Sequence, residues 1–493
     1  GLDTPTRATL SYYYLKTDDT PDSGVPYNNP TGYSQYSGKP IDVKQGIYYG
    51  WEDRDFQKQE NQVGTIKLEH DLTDNLTISN TAVYNSSKND YLWTNPDDSQ
   101  GNIYKNGNVW ARVNSRIADT DTFTDQLALT GKFNTGALKH SFNLGAEYSD
   151  QETDRTQYII NGKNATGTLN PDDTPTNDCS PADIASGWCT SVQNPNRGPW
   201  TGSISTEGAD QYNTQTKSTS VYFLDSIEFH PQWILDLGVR WDKFDTEQTM
   251  TYGALNSAVT ATTPTAQAGD KVTTESDTDF FTYQAGLTFK PVENASIYAS
   301  YATSANPVGV DAGDGSEGIG AAYSNLDPEE SQTFEIGTKW DLLQDRLNLT
   351  AAIFRTEKQN ARIQLSPTTY SNIGESKVDG IELGLNGKIT DQWEISAGYT
   401  YLDSEATKNG VSCRGTTCTD QTVFNGNQMP NVPKNSATLW TTYQVLPQLQ
   451  LGAGATAMDK VYGDLANTKY VPGYVRYDAM ARYNVNENVD LQL

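Results

Sequence analysis

The sequence predicts an all-β protein, a transmembrane antiparallel β-barrel, on three observations. Runs of about ten residues alternate strictly between apolar and polar side chains. The connections alternate too, a short turn and then a long polar loop, which is the rhythm of a barrel with unlike ends. Aromatic residues make up 11% of the chain, with 29 Tyr against 13 Phe. Such rings, apolar in body and polar at the tip, suit a membrane–water boundary.

Residues 331–355 show the repeating unit. In SQTFEIGTKW, Phe334, Ile336 and Thr338 share one face, and Thr333, Glu335, Gly337 and Lys339 the other. After DLLQD, the run RLNLTAAIFR sets Leu347, Leu349, Ala351 and Ile353 against Asn348, Thr350 and Ala352. A connection this short makes the two strands an antiparallel hairpin. The polar residues that follow are read as a long loop reaching to a strand near Lys377.

In chain order, RATLSYYYLK is the first strand, followed by a long Pro-, Gly- and Tyr-rich segment up to Lys58. QVGTIKLEH turns through DLTDN into LTISNTAVYN, where Leu76, Ile78, Ala82 and Tyr84 share a face. A loop is expected from Lys88 to about Asn108. VWARVNSRI and TDQLALTGKF then read as one strand, which Asn-Thr-Gly turns into ALKHSFNLGAEYS. After the longest loop, from Asp150 to Tyr212, STSVYFLDSIEF pairs with WILDLGVRWDKF. There Trp233, Leu235, Leu237, Val239 and Trp241 oppose Asp236, Gly238, Arg240 and Asp242. Charges of both signs cannot face lipid, so the second face is the lumen. Further hairpins follow through FFTYQAGLTF and ASIYASYATS, VDGIELGLNGKI and WEISAGYTYLD, NSATLWTTYQV and LQLGAGATAM, and VRYDAMARYNV and VDLQL. The total is about seventeen strands in about eight hairpins, read as a single barrel over residues 1–493. The turns near Asp74, Thr135, Gln232, Asp345 and Asp391 are expected on the periplasmic side, and the loops near Gly162, Ser186 and Gly410 outside.

Mean hydropathy is -0.66, and no run of about 18 apolar residues marks a spanning helix. A barrel evades both tests, because half of each strand faces water. The net charge of -27 excludes the basic footprint of a nucleic-acid binder and is read as soluble acidic loops. Cys179 with Cys189, and Cys413 with Cys418, are close pairs in polar loops, read as two local disulfides of an oxidising compartment. With no His nearby and no CxxC spacing, a metal site is not expected there. A β-propeller would repeat a motif every 40–50 residues or so, and none recurs.

Catalysis finds no support. His70, His140 and His230 each sit by a short turn, without a nucleophile arrangement, and are read as hydrogen-bonded or solvated turn residues. Gly452-Ala453-Gly454 lacks the Lys-Ser/Thr of a phosphate loop. Residues 311–317 resemble a calcium loop in composition only.

Several stretches carry a family resemblance. They are IYYGWEDRDF (47–56), TGALKHSFNLGAEYS (135–149), LDPEESQTFEIGTKWDLLQDRLNLTAAIFRTEKQNAR (326–362) and MPNVPKNSATLWTTY (429–443). Through them the chain resembles the barrel of TonB-dependent outer-membrane receptors, in particular the catecholate siderophore receptor branch. The resemblance implies a bacterial outer-membrane location and import of a ferric siderophore driven through TonB. It also implies a barrel of about 22 strands with an N-terminal plug and an aromatic-ended last strand. Neither is found here, so both ends are read as incomplete. Iron would arrive caged in the siderophore, so no protein cofactor is implied. The implied partners are the ferric siderophore, TonB through the plug, and outer-membrane lipid and lipopolysaccharide, with no nucleic acid.

A flat aromatic anion calls for rings to stack on and for guanidinium groups. Tyr48, Tyr49, Trp51, Arg54 and Phe56 form one candidate set. Trp110, Arg112 and Arg116 form another, sharing a strand face with Asn114 and opposed by Val109, Ala111 and Val113, which are expected on the barrel wall. The competing reading of all these residues is interfacial aromatics and loop-stabilising ion pairs. Competing functions are a TonB-dependent carrier of another cargo, a passive porin, and a scaffold for adhesion or phage attachment.

Overall fold

A computed structural model describes residues 5–28, 38–98, 100–161, 179–195, 198–200, 202–253, 267–308, 326–366, 369–414 and 417–493. Gly162 and residues 311–317 lie outside the described residues. The wall is one antiparallel meander of β1 (Thr6–Asp19), β2 (Phe56–Thr73), β3 (Leu76–Asp97), β4 (Asn108–Thr135), β5 (Leu138–Thr156), β6 (Gln211–His230), β7 (Trp233–Thr251), β8 (Lys271–Val292) and β9 (Ala295–Asn306). It continues through β10 (Glu329–Leu342), β11 (Leu347–Ser366), β12 (Thr369–Lys388), β13 (Trp393–Lys408), β14 (Asn435–Leu446), β15 (Leu449–Met458), β16 (Tyr474–Asn486) and β17 (Val489–Gln492). Each strand pairs with the next. Among the described residues no ladder joins β1 to β17.

Alternation separates two faces. Leu10, Ile66, Leu127, Val239, Phe281, Ile336, Ile353 and Leu383 project outward and are exposed, Phe281 by 63%, as a lipid-facing belt requires. The opposite face is a polar network. Arg240 bonds Asp242 at 2.8 Å, Glu147 at 3.1 Å and Ser220 at 2.7 Å. The Asp236–Asp242 face is thus the lumen, as the charge pattern requires.

The resemblance stretch 135–149 acquires a physical meaning. Gly136, at φ 64°, starts the two-residue turn. His140 Nδ1 meets Asp225 at 2.7 Å and Nε2 meets Thr135 at 2.8 Å. Gly145 leaves room for the Tyr222 ring, into which a Cβ would run, and Glu147 holds Arg240. His70 bonds Thr6 at 2.8 Å, and His230 accepts the Gln232 amide at 3.2 Å, so all three histidines are hydrogen-bonded near turns.

The strands outrun the expected loops. β3 runs to Asp97 and β4 covers 28 residues, or roughly 90 Å at about 3.3 Å per residue, far beyond the 9–11 or so that a bilayer needs. The first half of the loop expected from Lys88 is therefore strand. Likewise β11 and β12 stay paired out to Ser366 and Thr369, across a bulge at Asn360 with φ 54°. Above the membrane both faces of a strand can be polar, so backbone pairing continues after alternation has stopped.

Orientation can be checked in the full-length protein. Among the described residues there is no free cysteine, so single cysteines report cleanly. Gln232→Cys and Asp391→Cys are expected to stay unlabelled by an impermeant maleimide on intact cells, and Val423→Cys, 68% exposed, to be labelled. Labelling of the first two alone would invert the barrel.

Candidate ligand mouth

The first candidate set is divided by burial. Tyr49 and Trp51 are 2% exposed and Arg54 is 5%. The Arg54 guanidinium lies 4.1 Å from the Trp51 ring and 4.9 Å from that of Trp200. Its Nε donates to Asp55 at 2.7 Å and its Nη2 to Thr94 at 2.7 Å. Thr94 in turn donates to Asp55 through its amide and hydroxyl, at 3.0 and 2.7 Å. Trp188 touches Trp51, Trp200 and Trp110 at 6.4, 6.0 and 6.2 Å. In this arrangement Trp51, Arg54 and Trp110 hold the layer of loops above the barrel. Tyr49 donates to the Val192 carbonyl at 2.7 Å, and Tyr48 reaches Asp55 at 3.4 Å. Burial, helped by Asp22, pushes the Tyr49 hydroxyl up to about 12. Phe56 packs edge-on against Tyr158 at 5.9 Å.

Both cysteine pairs are disulfides. The Cys179–Cys189 bond belongs to this layer. Residues 189–191 pair with 108–110 of β4. The Cys179 amide donates to Asn102, at the start of α1 (Asn102–Asn106), at 3.0 Å. The following α2 (Pro181–Ser186) begins with a Ser180–Asp183 capping box.

Val109, Ala111 and Val113 are 0–2% exposed. They do not face lipid: Val109 packs with Tyr49 and Val192, and Val113 with Leu92 and Trp188. This end of β4 stands above the membrane, where loops cover it.

The second set shares one strand face with further residues. Tyr91 and Trp93 of β3 stack at 4.1 Å. Arg116 lies 5.8 Å from the Tyr91 ring. Arg112 pairs with Asp97 at 3.2 Å and reaches Asn114 at 3.5 Å. The unbroken register of β3 with β4 puts these residues in line with luminal Gln126. Arg155 lies 4.3 Å from the Tyr212 ring, its guanidinium pushed below its ordinary value by burial and by Arg116. Tyr91, Trp93, Arg155 and Tyr212 escaped sequence reading because their strand ends carry no apolar alternation. A concavity of about 530 Å³ lies instead in the outward belt, lined by Phe334, Ile336, Ile353 and Ile381.

Asp98, just above this site, is raised to about 6, chiefly by burial, against the Ile103 amide that it accepts at 2.8 Å. A raised acid favours the protonated fold. Its stabilising contribution is complete below the ordinary carboxylate range and is lost as pH rises through about 6. Exchange of the Ile103 amide, corrected for intrinsic rate, should therefore be slower at pH 5 than at pH 7.5. Asp98→Asn should abolish the difference, and a wild type flat with pH would contradict it.

The whole chain, residues 1–493, matches the family described as TonB dependent receptor-like, beta-barrel. It is 64% identical over 500 residues to the probable TonB-dependent siderophore receptor PiuA of Acinetobacter baumannii, covering 100% of this chain and 64% of that protein. It is 31% identical over 521 residues to the catecholate siderophore receptor Fiu of Escherichia coli K12, covering 100% of this chain and 63% of that protein. The crystal structure of PiuA superposes with a TM-score of 0.91 at 64% identity, covering 100% of this chain and 67% of that one. The closed form of Fiu superposes at 0.79 and 27% identity, covering 100% and 68%. The chain thus spans about 64% of the length of the curated relative PiuA.

Proposed function

The chain belongs to the TonB-dependent receptor β-barrel family of outer-membrane proteins, and from that premise we propose that the protein binds a ferric siderophore of catecholate type and imports it into the periplasm with TonB-coupled energy. The observation that carries the reading is the mouth. Arg116 stands over the Tyr91 ring of the stacked Tyr91–Trp93 pair, and Arg112, paired with Asp97, lies four residues away on the same strand, in a chain whose net charge is -27. Local positive potential in a narrow opening draws an anion that the rest of the surface repels. Rings and guanidinium planes together suit a flat aromatic anion. Iron is cargo here, held by the oxygens of the siderophore, and the protein needs no cofactor for this role. The family's function is transport rather than catalysis. Coupling would run through the N-terminal plug that the resemblance implies, with outer-membrane lipid and lipopolysaccharide around the wall.

The names of PiuA and Fiu support the cargo class. The test uses the full-length protein: ferric-catecholate and ferric-hydroxamate binding by intrinsic fluorescence quenching, with growth on each as sole iron source. Binding and TonB-dependent growth on the catecholate alone are expected. Equal use of both chelates would point to another cargo. Uptake that survives loss of TonB would point to a passive porin, and neither binding nor uptake to a scaffold role.

A further inference from the structure

Arg155 of β5 is the least compensated cation in the mouth. Among the described residues it has no ion pair, its Nε is buried without a hydrogen-bond partner, and its guanidinium lies over the Tyr212 ring at 4.3 Å. Burial disfavours its charge, and the charge of Arg116 opposes it further. A cavity of about 100 Å³ opens beside it, lined by Ser115, Arg116, Arg155, Gln157, Asp210 and Tyr212. Asp210 is turned to another task, its Oδ1 accepting the Gly253 amide at 2.8 Å. The cavity is small and suits one small oxyanion rather than a whole ferric chelate. A guanidinium held by its face on a ring presents its in-plane N–H edge, the geometry that carboxylates match.

We propose that Arg155, seated on Tyr212 and beside Arg116, is a subsite for a carboxylate carried at the edge of the ferric chelate. This rests on the siderophore reading and narrows it to chelates that bear such a group. The same chemistry could be met by a carboxylate of the receptor's own chain, so the test separates the two sources.

Two synthetic ferric catecholates, identical except for a peripheral carboxylate or its primary amide, are titrated against the full-length receptor. Wild type is expected to prefer the carboxylate chelate by about tenfold, the scale of one charge-assisted hydrogen bond. Arg155→Met should erase that preference, and Arg155→Lys, which keeps charge without a planar edge, should retain part of it. Heat-modifiable gel mobility checks that each variant has folded. No preference in wild type, or equal losses for both chelates in Arg155→Met, would overturn the proposal, the second by assigning Arg155 to a carboxylate within the receptor. If neither chelate binds, the catecholate reading falls, and a benzoate titration decides the subsite alone. Binding lost in Arg155→Met supports it, and absent or unchanged binding overturns it.

Discussion

Replacing Asp55 by alanine is expected to release the loops above the barrel while leaving the wall folded. The side chains of Arg54 and Asp55 are 1% and 0% exposed. Removing one member of such a pair leaves a buried charge unanswered, at a cost of about 3–5 kcal/mol. Thr94 also loses Asp55 Oδ2, which accepts from both its amide and its hydroxyl. The Trp51, Trp188 and Trp200 rings are held around the same guanidinium, so the loss reaches residues 179–192 as well as 47–56. Hydrogen exchange and limited proteolysis of the full-length protein should show both segments opening together, with heat-modifiable mobility of the barrel retained. Asp55→Asn, which keeps the shape and one acceptor, should be milder. Unchanged protection of both segments in Asp55→Ala would remove the pair from its structural role.

Converting Arg112 and Arg116 together to glutamate is expected to weaken ferric-catecholate binding by about a hundredfold or more. Each lost charge-assisted contact costs about 1.5–3 kcal/mol, and about 1.4 kcal/mol is tenfold in affinity. The structure adds a further term for Arg112: Asp97, its partner at 3.2 Å, would face a second carboxylate. Wild-type binding should weaken with salt, though less than for fully exposed charges. Fluorescence quenching on the full-length receptor measures both effects. Unchanged affinity in a folded double variant would remove these arginines from the site. Arg155 would then be the next cation to test there, since Arg54 is walled in by tryptophan.

The hairpins were legible because their signal is local. Leu235, Leu237 and Val239 face lipid, and Arg240 and Asp242 the lumen, because neighbouring side chains point to opposite faces and only one face tolerates charge. The disulfides were legible because Cys179 and Cys189 are only ten positions apart, and Cys413 and Cys418 five. The reach of β3 to Asp97 was not legible, because a strand above the membrane needs no apolar face.

The roles within the mouth depended on distance along the chain. Arg54 is buried by Thr94, 40 residues on, and by Trp200, whose amide bonds Asp53 across 147 residues. The Val109 face is covered by a loop that returns past Cys189. By itself the sequence determined the membrane-spanning parts of the strands, which way those face, and the family those patterns resemble, because alternation and spacing are properties of neighbouring residues. Only the tertiary structure decided which of the aromatic and cationic residues hold the loops and which line the lumen. That division is one of burial, and burial here is made by segments remote in sequence that carry no periodic signal.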